Sequence, residues 1–389
     1  MDFRLLLDII YQLVQSTYMA FPVLLIVALG GLIAERSGVT NIALEGIMLF
    51  GAFLGIWAIK GLEVYPYSTM TVLVIFIVAL LFAASITYLI KILMDYILYR
   101  TKKTLRLPKW VYLAFVLGLS ILLTLVIRSV PVRSSFLLIM GFMIGGSVGG
   151  LYAMIHAYAS IYLKSNQIIS ATALNLFAPA FAIFTARVIQ GGQQISFRTN
   201  FQIKSVPVLG DLPVIGDLFF KNTYLTVYLS IALFILVSIV LFKTRFGLRL
   251  RACGENPHAA DSLGVNIYRL RFIAVTISGI FAGIGGVAFV TATATEFAVT
   301  VAGFGFLSLA VLIFGNWTPK GIILAALFFG FMRTLAASYG VIPFLSNLNL
   351  PEDIYNAIPY VATLIILAFF SKNSRVPKAL GQVYDQGKR

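Results

Sequence analysis

The chain has 389 residues, of which 60% are hydrophobic and only 11% are charged, and its mean hydropathy is +0.96. Soluble domains carry roughly 45–50% apolar and about 25% charged residues, so this composition excludes a soluble domain and predicts an integral membrane protein. The formal net charge of +15 would also suit a nucleic-acid-binding protein, so the distribution of the charge along the chain has to decide between the two classes.

The basic residues are concentrated in three stretches, 91–109, 243–271 and 372–389, which hold six, six and five of the 29 lysines and arginines. Residues 60–68 and 339–353 together hold one lysine and three acidic residues. This alternation follows the positive-inside rule, and anionic lipid headgroups attract the basic stretches. The pattern predicts the lipid bilayer, and no nucleic acid, as a partner. It places the C-terminus inside and four connectors outside, at 60–68, 191–222, 294–301 and 339–353.

Long apolar segments occupy most of the chain. Most are continuous over about 20 residues, which favours membrane-spanning helices over the alternating strands of a barrel. Glu35–Gly38 separate the first two segments, and residues 302–316 are short for a full span and indicate a re-entrant or tilted helix. We predict one transmembrane domain over residues 1–389, an all-α polytopic membrane helix bundle with about 10–11 transmembrane or re-entrant helices. The segments lie near 13–34, 43–59, 69–90, 110–127, 136–162, 166–190, 223–243, 271–293, 302–316, 321–338 and 354–371.

Residues that carry catalysis or bind metals are sparse. The single cysteine, Cys253, excludes an internal disulfide, and two histidines, His156 and His258, are too few for most metal centres. In the tail GQVYDQGKR, five residues separate Gly381 from Gly387, one more than a phosphate-binding loop allows. We therefore predict that the chain is not an enzyme and that it binds no cofactor and no metal.

A first polar cluster interrupts the apolar sequence between Leu32 and Phe53. Its Asn41 and Glu45 are typical of a broken helix that lines a cavity. Because an unpaired carboxylate is costly at membrane depth, Glu45 would face water, a partner or a substrate. The alternative is that Glu35 and Glu45 lie at the cytosolic interface and cap helix ends. Both interpretations stay open.

A second polar cluster begins the segment 166–190. Asn175 is the deepest of its polar residues, which also include Asn166, Gln167, Ser170 and Thr172. It is a candidate for a hydrogen bond to an uncharged polar solute, and equally for an interhelical hydrogen bond. Together with Asn41 and Glu45 it makes up the predicted substrate path.

Small residues recur at intervals of four in two apolar segments. Gly141, Gly145 and Gly149 form one series, and Gly279 and Gly283 form another. Inside apolar segments this spacing predicts close helix–helix packing and not a nucleotide-binding loop.

The predicted outer connector 191–222 contains a short repeat. PVLGDL at Pro207–Leu212 is followed directly by PVIGDL at Pro213–Leu218. The repeat predicts two successive turns that cover the bundle, and it could also form an external rim for a partner that delivers substrate.

The polar loop Thr244–Val265 is unusually organised for a connector between membrane spans. Asn256-Pro257 predicts the start of a short helix, since proline suits the first helical turn. Ala259 and Ala260 are small enough for close approach to a groove. The loop is therefore predicted to be a docking element on the cytosolic face.

Within this loop, His258-Ala259-Ala260 and Gly264, three residues further on, resemble the Glu-Ala-Ala-x3-Gly core of the cytoplasmic coupling loop in binding-protein-dependent ABC importers. A histidine replaces the glutamate, and the usual downstream Leu-Pro is absent. From Leu32 to Phe370 the chain resembles permeases of the simple-sugar and branched-chain amino-acid group, and the ERSGVTNIALEG pattern is most similar to nucleoside-type importer subunits. The other strings that carry the resemblance are FGLRLRACGENPHAADSLGV, ISGIFAGIGGVAF and GFGFLSLAVLIFGNWTPKG.

The resemblance implies a pore-forming subunit of the cell membrane that imports a solute, with nucleosides favoured. Its implied partners are a second permease subunit, an ATP-binding cassette protein that hydrolyses ATP, and an extracellular solute-binding lipoprotein. A simple-sugar or branched-chain amino-acid importer remains an alternative, and so does a stand-alone secondary transporter. The residues implied in coupling to the ATPase are Glu255, Asn256, Pro257, His258, Ala259, Ala260 and Gly264.

Overall fold

The computed structural model describes residues 3–64, 76, 80, 108–129, 134–293, 296–348, 350–370 and 375–387. Apart from residues 76 and 80, the predicted apolar segment 69–90 lies outside these residues, as does most of the basic stretch 91–109.

Helices form most of the described chain. They are α1 Phe3–Arg36, α2 Leu44–Val64, α3 Lys109–Ser129, α4 Ser134–Ala157, α5 Gln167–Gln190, α6 Leu225–Lys243, α7 Arg245–Glu255, α8 Pro257–Ser262, α9 Ile267–Thr293, α10 Phe304–Phe314, α11 Pro319–Ala337, α12 Pro343–Ser346, α13 Glu352–Asn356 and α14 Ile358–Phe370. Short π-helical turns lie at Tyr158–Tyr162 and Gly216–Phe220. Four strands, β1 Ile195–Ser196, β2 Gln202–Ser205, β3 Lys221–Tyr224 and β4 Glu296–Phe297, form two small antiparallel pairs, β1 with β4 and β2 with β3.

Seven helices of the described chain are long and apolar enough to cross a membrane. The protein is therefore a multi-pass membrane protein, and the predicted all-α polytopic membrane helix bundle is confirmed. The seven are Ile9–Arg36, Leu44–Val64, Ser134–Tyr162, Gln167–Gln190, Leu225–Lys243, Ile267–Thr293 and Pro319–Ala337.

The centre of the bundle is α1, which packs against α6, α9, α10 and α11. Every residue from Val23 to Leu29 is fully buried. A helix that is apolar around its whole circumference is stable only when it is surrounded on all sides, so the sequence of α1 suits this central position.

Glycines bring α2, α4 and α9 into backbone contact. A Cβ on Gly51 would lie 2.5 Å from the Cα of Gly283 and 2.9 Å from the carbonyl oxygen of Gly145. A Cβ on Gly149 would lie 2.8 Å from the same Cα of Gly283. The predicted small-residue packing is therefore confirmed, and Gly283 lies at its centre.

The predicted outer connectors meet at one end of the bundle. The Glu63 carboxylate at the end of α2 accepts hydrogen bonds from the backbone N–H groups of Arg198 (3.0 Å) and Thr199 (2.9 Å). Ile195 of β1 pairs with Phe297 of β4. The connectors around residues 60–64, 191–222 and 296–297 therefore lie together, as the charge pattern predicts.

The first half of α1 also contacts this end. Gln15 donates a hydrogen bond to the carbonyl of Asp217 (3.3 Å), and the Tyr18 ring packs edge-on against Phe219. The charge pattern alone does not place the N-terminal segment, and these contacts put Gln15 and Tyr18 beside the 191–222 connector.

The repeat in the 191–222 connector folds as two successive turns. Val208 and Val214, at equivalent positions of PVLGDL and PVIGDL, have φ of +70° and +65°. Gly210 N–H donates to the Val206 carbonyl, and Gly216 N–H donates to the Leu212 carbonyl, both at 2.8 Å. The prediction of paired turns is confirmed.

Candidate functional site

The chain is unwound between α1 and α2, over residues 37–43. Gly38 has φ of +91°, a conformation that glycine adopts without a steric penalty. Thr40 N–H donates to Oε1 of Gln167 at 2.8 Å, and the Thr40 carbonyl lies 3.2 Å from Nε2 of His156. Irregular backbone that is buried in protein needs such internal partners, because no water reaches its N–H and C=O groups. The broken helix predicted within Leu32–Phe53 is present.

Asn175 of α5 binds the end of the break that leads into α2. Its Oδ1 accepts from Gly46 N–H at 2.8 Å, and its Nδ2 donates to the Ile42 carbonyl at 3.0 Å. One side chain on α5 thus pairs a main-chain carbonyl before α2 with a main-chain N–H in its first turn. The sequence allowed two roles for Asn175, a hydrogen bond to a solute or an interhelical hydrogen bond. The observed geometry is the interhelical one.

Asn41 lies inside the break and is fully buried. Its Nδ2 donates to Oγ of Ser278 on α9 at 3.0 Å. Its Oδ1 is buried and has no hydrogen-bond partner among the described residues. Asn41 therefore retains one acceptor that the neighbouring helices do not use.

Glu45 binds the start of α10, a helix more than 250 residues further along the chain. Oε1 accepts from Gly303 N–H at 3.0 Å, and Oε2 accepts from Gly305 N–H at 2.7 Å and from Phe306 N–H at 3.2 Å. A carboxylate is favourable there because the first N–H groups of a helix lack intrahelical partners and carry partial positive charge. Glu45 caps a helix end, and that helix is α10 and not its own α2.

The depth of this cap follows from the length of α10. Its 11 residues span about 16 Å, roughly half of a ~30 Å hydrocarbon core. Beyond its far end, Trp317 contacts Glu35 and Arg36 at the end of α1. The short segment predicted at 302–316 is therefore a half-span, and the Glu45 cap lies about 16 Å along α10 from the end that contacts α1.

Glu35 contributes to the contacts at the end of the bundle that carries α7 and α8. Its carboxylate accepts a hydrogen bond from the Trp317 indole N–H and does not cap a helix. Arg36 donates to the Trp317 carbonyl from Nε (3.1 Å) and Nη2 (2.7 Å), and it forms an ion pair with Glu255 at 3.8 Å. These contacts attach the end of α7 to the end of α1.

His156 of α4 contacts the break, a role that the sequence did not predict. It is fully buried, and its Nδ1 lies 2.8 Å from Oγ of Ser170 while Nε2 faces the Thr40 carbonyl. A histidine in the middle of an apolar segment is the signal that marks it, because a buried imidazole needs polar partners on both nitrogens.

The predicted short helix in the polar loop is α8. Asn256 caps it, with Oδ1 accepting from Ala259 N–H at 3.0 Å, and Pro257 occupies the first helical turn. The chain leaves α8 through Gly264, whose φ is +78°. Local sequence explains the whole element, since an Asx cap, an N-terminal proline and a left-handed glycine act within ten residues.

The two alanines of α8 lie on different faces of the helix. Ala260 and Pro257, three positions apart, are buried against the bundle, whereas His258 and Ala259 are exposed. Leu263 is 85% exposed. The outward surface, which we name the α8 surface, thus consists of His258, Ala259, Ser262 and Leu263.

Cys253 lies on the inner face of α7, directly before α8. It is fully buried, and its thiol donates to the Ser37 carbonyl at 3.3 Å. Burial raises the pKa of the Cys253 thiol. The group is a structural contact between α7 and the break, because a buried, protonated thiol is unreactive.

The sequence matches the family described as the branched-chain amino acid transport system / permease component over residues 13–101 and 111–367. The chain belongs to this family of ABC transporter permeases. The family resemblance carried by the α8 loop and the ERSGVTNIALEG pattern is therefore confirmed.

Two relatives match the permease over nearly its full length. It is 35% identical over 378 residues to the nucleoside ABC transporter permease protein NupC of Lactococcus lactis subsp. cremoris, covering 97% of this chain and 96% of the relative. It is 34% identical over 386 residues to the guanosine ABC transporter permease protein NupQ of Bacillus subtilis, covering 99% of each chain.

A third relative covers part of the permease. The nucleoside ABC transporter permease protein NupB of the same Lactococcus is 30% identical over 162 residues, 41% of this chain and 43% of the relative. One organism therefore carries two different permeases of this kind. No solved structure matches the chain.

Proposed function

We propose that this permease is the nucleoside-conducting subunit of an ATP-driven importer in the cell membrane. The observation that carries the proposal is its full-length similarity to NupC and NupQ, which are named as nucleoside and guanosine permeases. The chemistry around the break agrees, since amide and hydroxyl groups predominate there and suit a neutral polar solute.

The proposed solute path runs along the unwound segment between α1 and α2. The free acceptor on Asn41 is the group that we assign to the solute or to a water in the path. Asn175 and Glu45 shape the path by holding the break and the start of α10, because both side chains are engaged with backbone groups. The path thus depends on Asn41 for contact and on the other two residues for shape.

We further propose that ATP is bound and hydrolysed by a separate cassette protein and that this chain binds no cofactor of its own. A second permease would complete the pore, as the coexistence of NupC and NupB in one organism suggests. An extracellular solute-binding lipoprotein would deliver the nucleoside to the end that carries the 191–222 connector.

The α8 surface is the proposed contact with the cassette. It combines a small residue, Ala259, with an exposed apolar side chain, Leu263, at the end of a helix that the bundle supports from behind. Glu255, Asn256, Pro257, Ala260 and Gly264 would act in coupling by fixing the position of this surface, since they form its ion pair, cap, inward face and exit turn.

Reconstitution tests the proposed activity. The permease, purified with its cassette, second permease and binding lipoprotein, is expected to accumulate labelled guanosine in vesicles at least about tenfold more with ATP than with a non-hydrolysable analogue, because transport against a gradient needs hydrolysis. Excess unlabelled adenosine should compete, whereas ribose and leucine should not.

Two outcomes would contradict the proposal in different ways. Uptake driven by a proton or sodium gradient without ATP would identify a secondary transporter. ATP-dependent uptake of ribose or leucine in place of guanosine would show that the protein belongs to an ATP-driven importer with a different substrate.

A second prediction tests the α8 surface. Ala259→Trp adds a large ring at an exposed position, so the chain should fold normally while ATPase stimulation by the loaded binding protein falls at least about tenfold, through loss of close docking. The matched control is Gly340→Trp, which adds the same ring where no described atom lies within 4 Å of a Cβ. If ATPase stimulation in Ala259→Trp equals that of the wild type, α8 is not part of the docking site.

A further inference from the structure

The C-terminal segment 375–387 lies across the end of the bundle that carries α8. Arg375 N–H donates to Oδ1 of Asn316 at 2.6 Å, which starts the segment beside α10. Ala379 N–H then donates to the Gly254 carbonyl at 2.9 Å, next to α8. The segment thus links the end of α7 to the residues after α10, although about fifty residues of chain separate these two helices.

The same segment continues from α8 to the break. Gly381 N–H donates to the Gly38 carbonyl at 3.1 Å, and Gly381 has φ of +75°, which allows the turn between the two contacts. Arg271 of α9 fixes this crossing, because its Nε donates to the Ser37 carbonyl (3.1 Å) and its Nη1 to the Gln382 carbonyl (2.9 Å). Asn41 of the proposed path lies three residues beyond Gly38.

Tyr384 fixes the segment to α8 itself. Its side chain is 5% exposed, and its ring centroid lies 5.1 Å from that of His258 on α8 and 5.4 Å from that of Tyr268 on α9. Gln386 adds a hydrogen bond to the Asp261 carboxylate at 3.3 Å. A buried aromatic ring between two elements transmits displacement, because packed side chains move together.

A charge pair attaches the end of the segment to the connector between α4 and α5. Asp385 and Lys164 form an ion pair at 2.9 Å. The Asp385 carboxylate raises the pKa of Lys164 through this hydrogen bond. Lys164 has φ of +55°, so this connector is held in an unusual backbone conformation directly before α5, the helix that carries Asn175.

We propose that segment 375–387 is a positioning strap that couples α8 to the α1–α2 break, with Tyr384 as its principal contact. It rests on the proposed importer function. When the cassette displaces α8, the strap carries the displacement to Gly38 and, through Lys164, to the start of α5. Gly38 and the start of α5, which binds Thr40 through Gln167, then respond to one movement.

The test measures coupling and not only activity. In the reconstituted complex, Tyr384→Ala is expected to lower the number of guanosine molecules moved per ATP hydrolysed at least about fivefold, the lower end of usual coupling factors. Tyr384→Phe keeps the ring between His258 and Tyr268 and is expected to retain the wild-type ratio. If segment 375–387 only covers the end of the bundle, both variants should keep the wild-type number of guanosine molecules moved per ATP hydrolysed, and the proposal would be wrong.

A charge exchange keeps the proposal testable if Tyr384→Ala does not assemble. Lys164→Asp places two acids together and should lower the ratio about twofold, because exposed ion pairs contribute little. The double variant Lys164→Asp with Asp385→Lys should restore it. If the wild type, Lys164→Asp and the double variant all move the same number of guanosine molecules per ATP hydrolysed, the proposed coupling role of segment 375–387 is wrong. Absence of ATP-dependent uptake in the wild-type complex would instead overturn the importer function.

Discussion

Glu45→Ala is expected to destabilise the permease by about 3 kcal/mol and to abolish uptake. The substitution removes the acceptor for the N–H groups of Gly303, Gly305 and Phe306, and each buried donor left unsatisfied costs about 1–3 kcal/mol. The start of α10 should then fray beside the proposed path. The measurement is thermal unfolding in detergent together with guanosine uptake in vesicles.

Two control variants distinguish the loss of the hydrogen-bond acceptors at the start of α10 from the loss of the negative charge of Glu45. Glu45→Gln retains one acceptor oxygen but turns an amide N–H₂ toward the helix start, so we expect an intermediate loss. Glu63→Ala removes a carboxylate that also binds two backbone N–H groups, but at the end of the bundle that carries the 191–222 connector, where water replaces it. Equal unfolding temperatures for the wild type and Glu45→Ala would rule out the cap as a stabilising contact.

Gly283→Leu is expected to prevent the permease from reaching its folded state. The new side chain would enter the crossing of α2, α4 and α9, where the nearest atoms are the backbone of Gly145 and Gly149. Overpacking a core against flexible side chains typically costs about 1–3 kcal/mol, and backbone atoms relax less than side chains do. We expect a yield of monodisperse protein below about a tenth of wild type by size-exclusion chromatography.

Gly118→Leu is the matched control for this prediction. Gly118 lies in α3, another apolar helix, and a Cβ there would meet no described atom within 4 Å. Both variants add the same side chain to a helical glycine, so their helix propensities change equally. A normal yield of Gly283→Leu would show that the three helices can separate without loss of the fold.

Part of the architecture was predictable from the sequence because it depends on local properties. The apolar runs predict spanning helices since transfer of each segment to lipid depends on its own composition. The glycines spaced by four predict close packing, and the structure places Gly145 and Gly149 against Gly283. Asn256-Pro257 predicts the start of α8 because a cap and its helix lie within one turn.

The candidate site was predictable only as a set of residues. Asn41, Glu45 and Asn175 were selected as rare polar groups in apolar segments. Their partners could not be inferred, because Glu45 binds N–H groups at Gly303–Phe306 and Asn175 binds the backbone of Ile42 and Gly46. Main-chain partners carry no sequence signal, since every residue except proline offers the same donor and acceptor.

Sequence alone determined the class of this protein, its all-α bundle and its family, because these follow from composition, local periodicity and short motifs. Only the tertiary structure decided that Ala260 faces inward while Ala259 faces outward, that α10 is a half-span capped from α2, and that the C-terminal segment crosses α8 to reach Gly38. Such contacts depend on which faces of distant helices meet. That choice is made by the packing of the whole bundle, in which backbone contact at a few glycines sets the position of every polar group nearby.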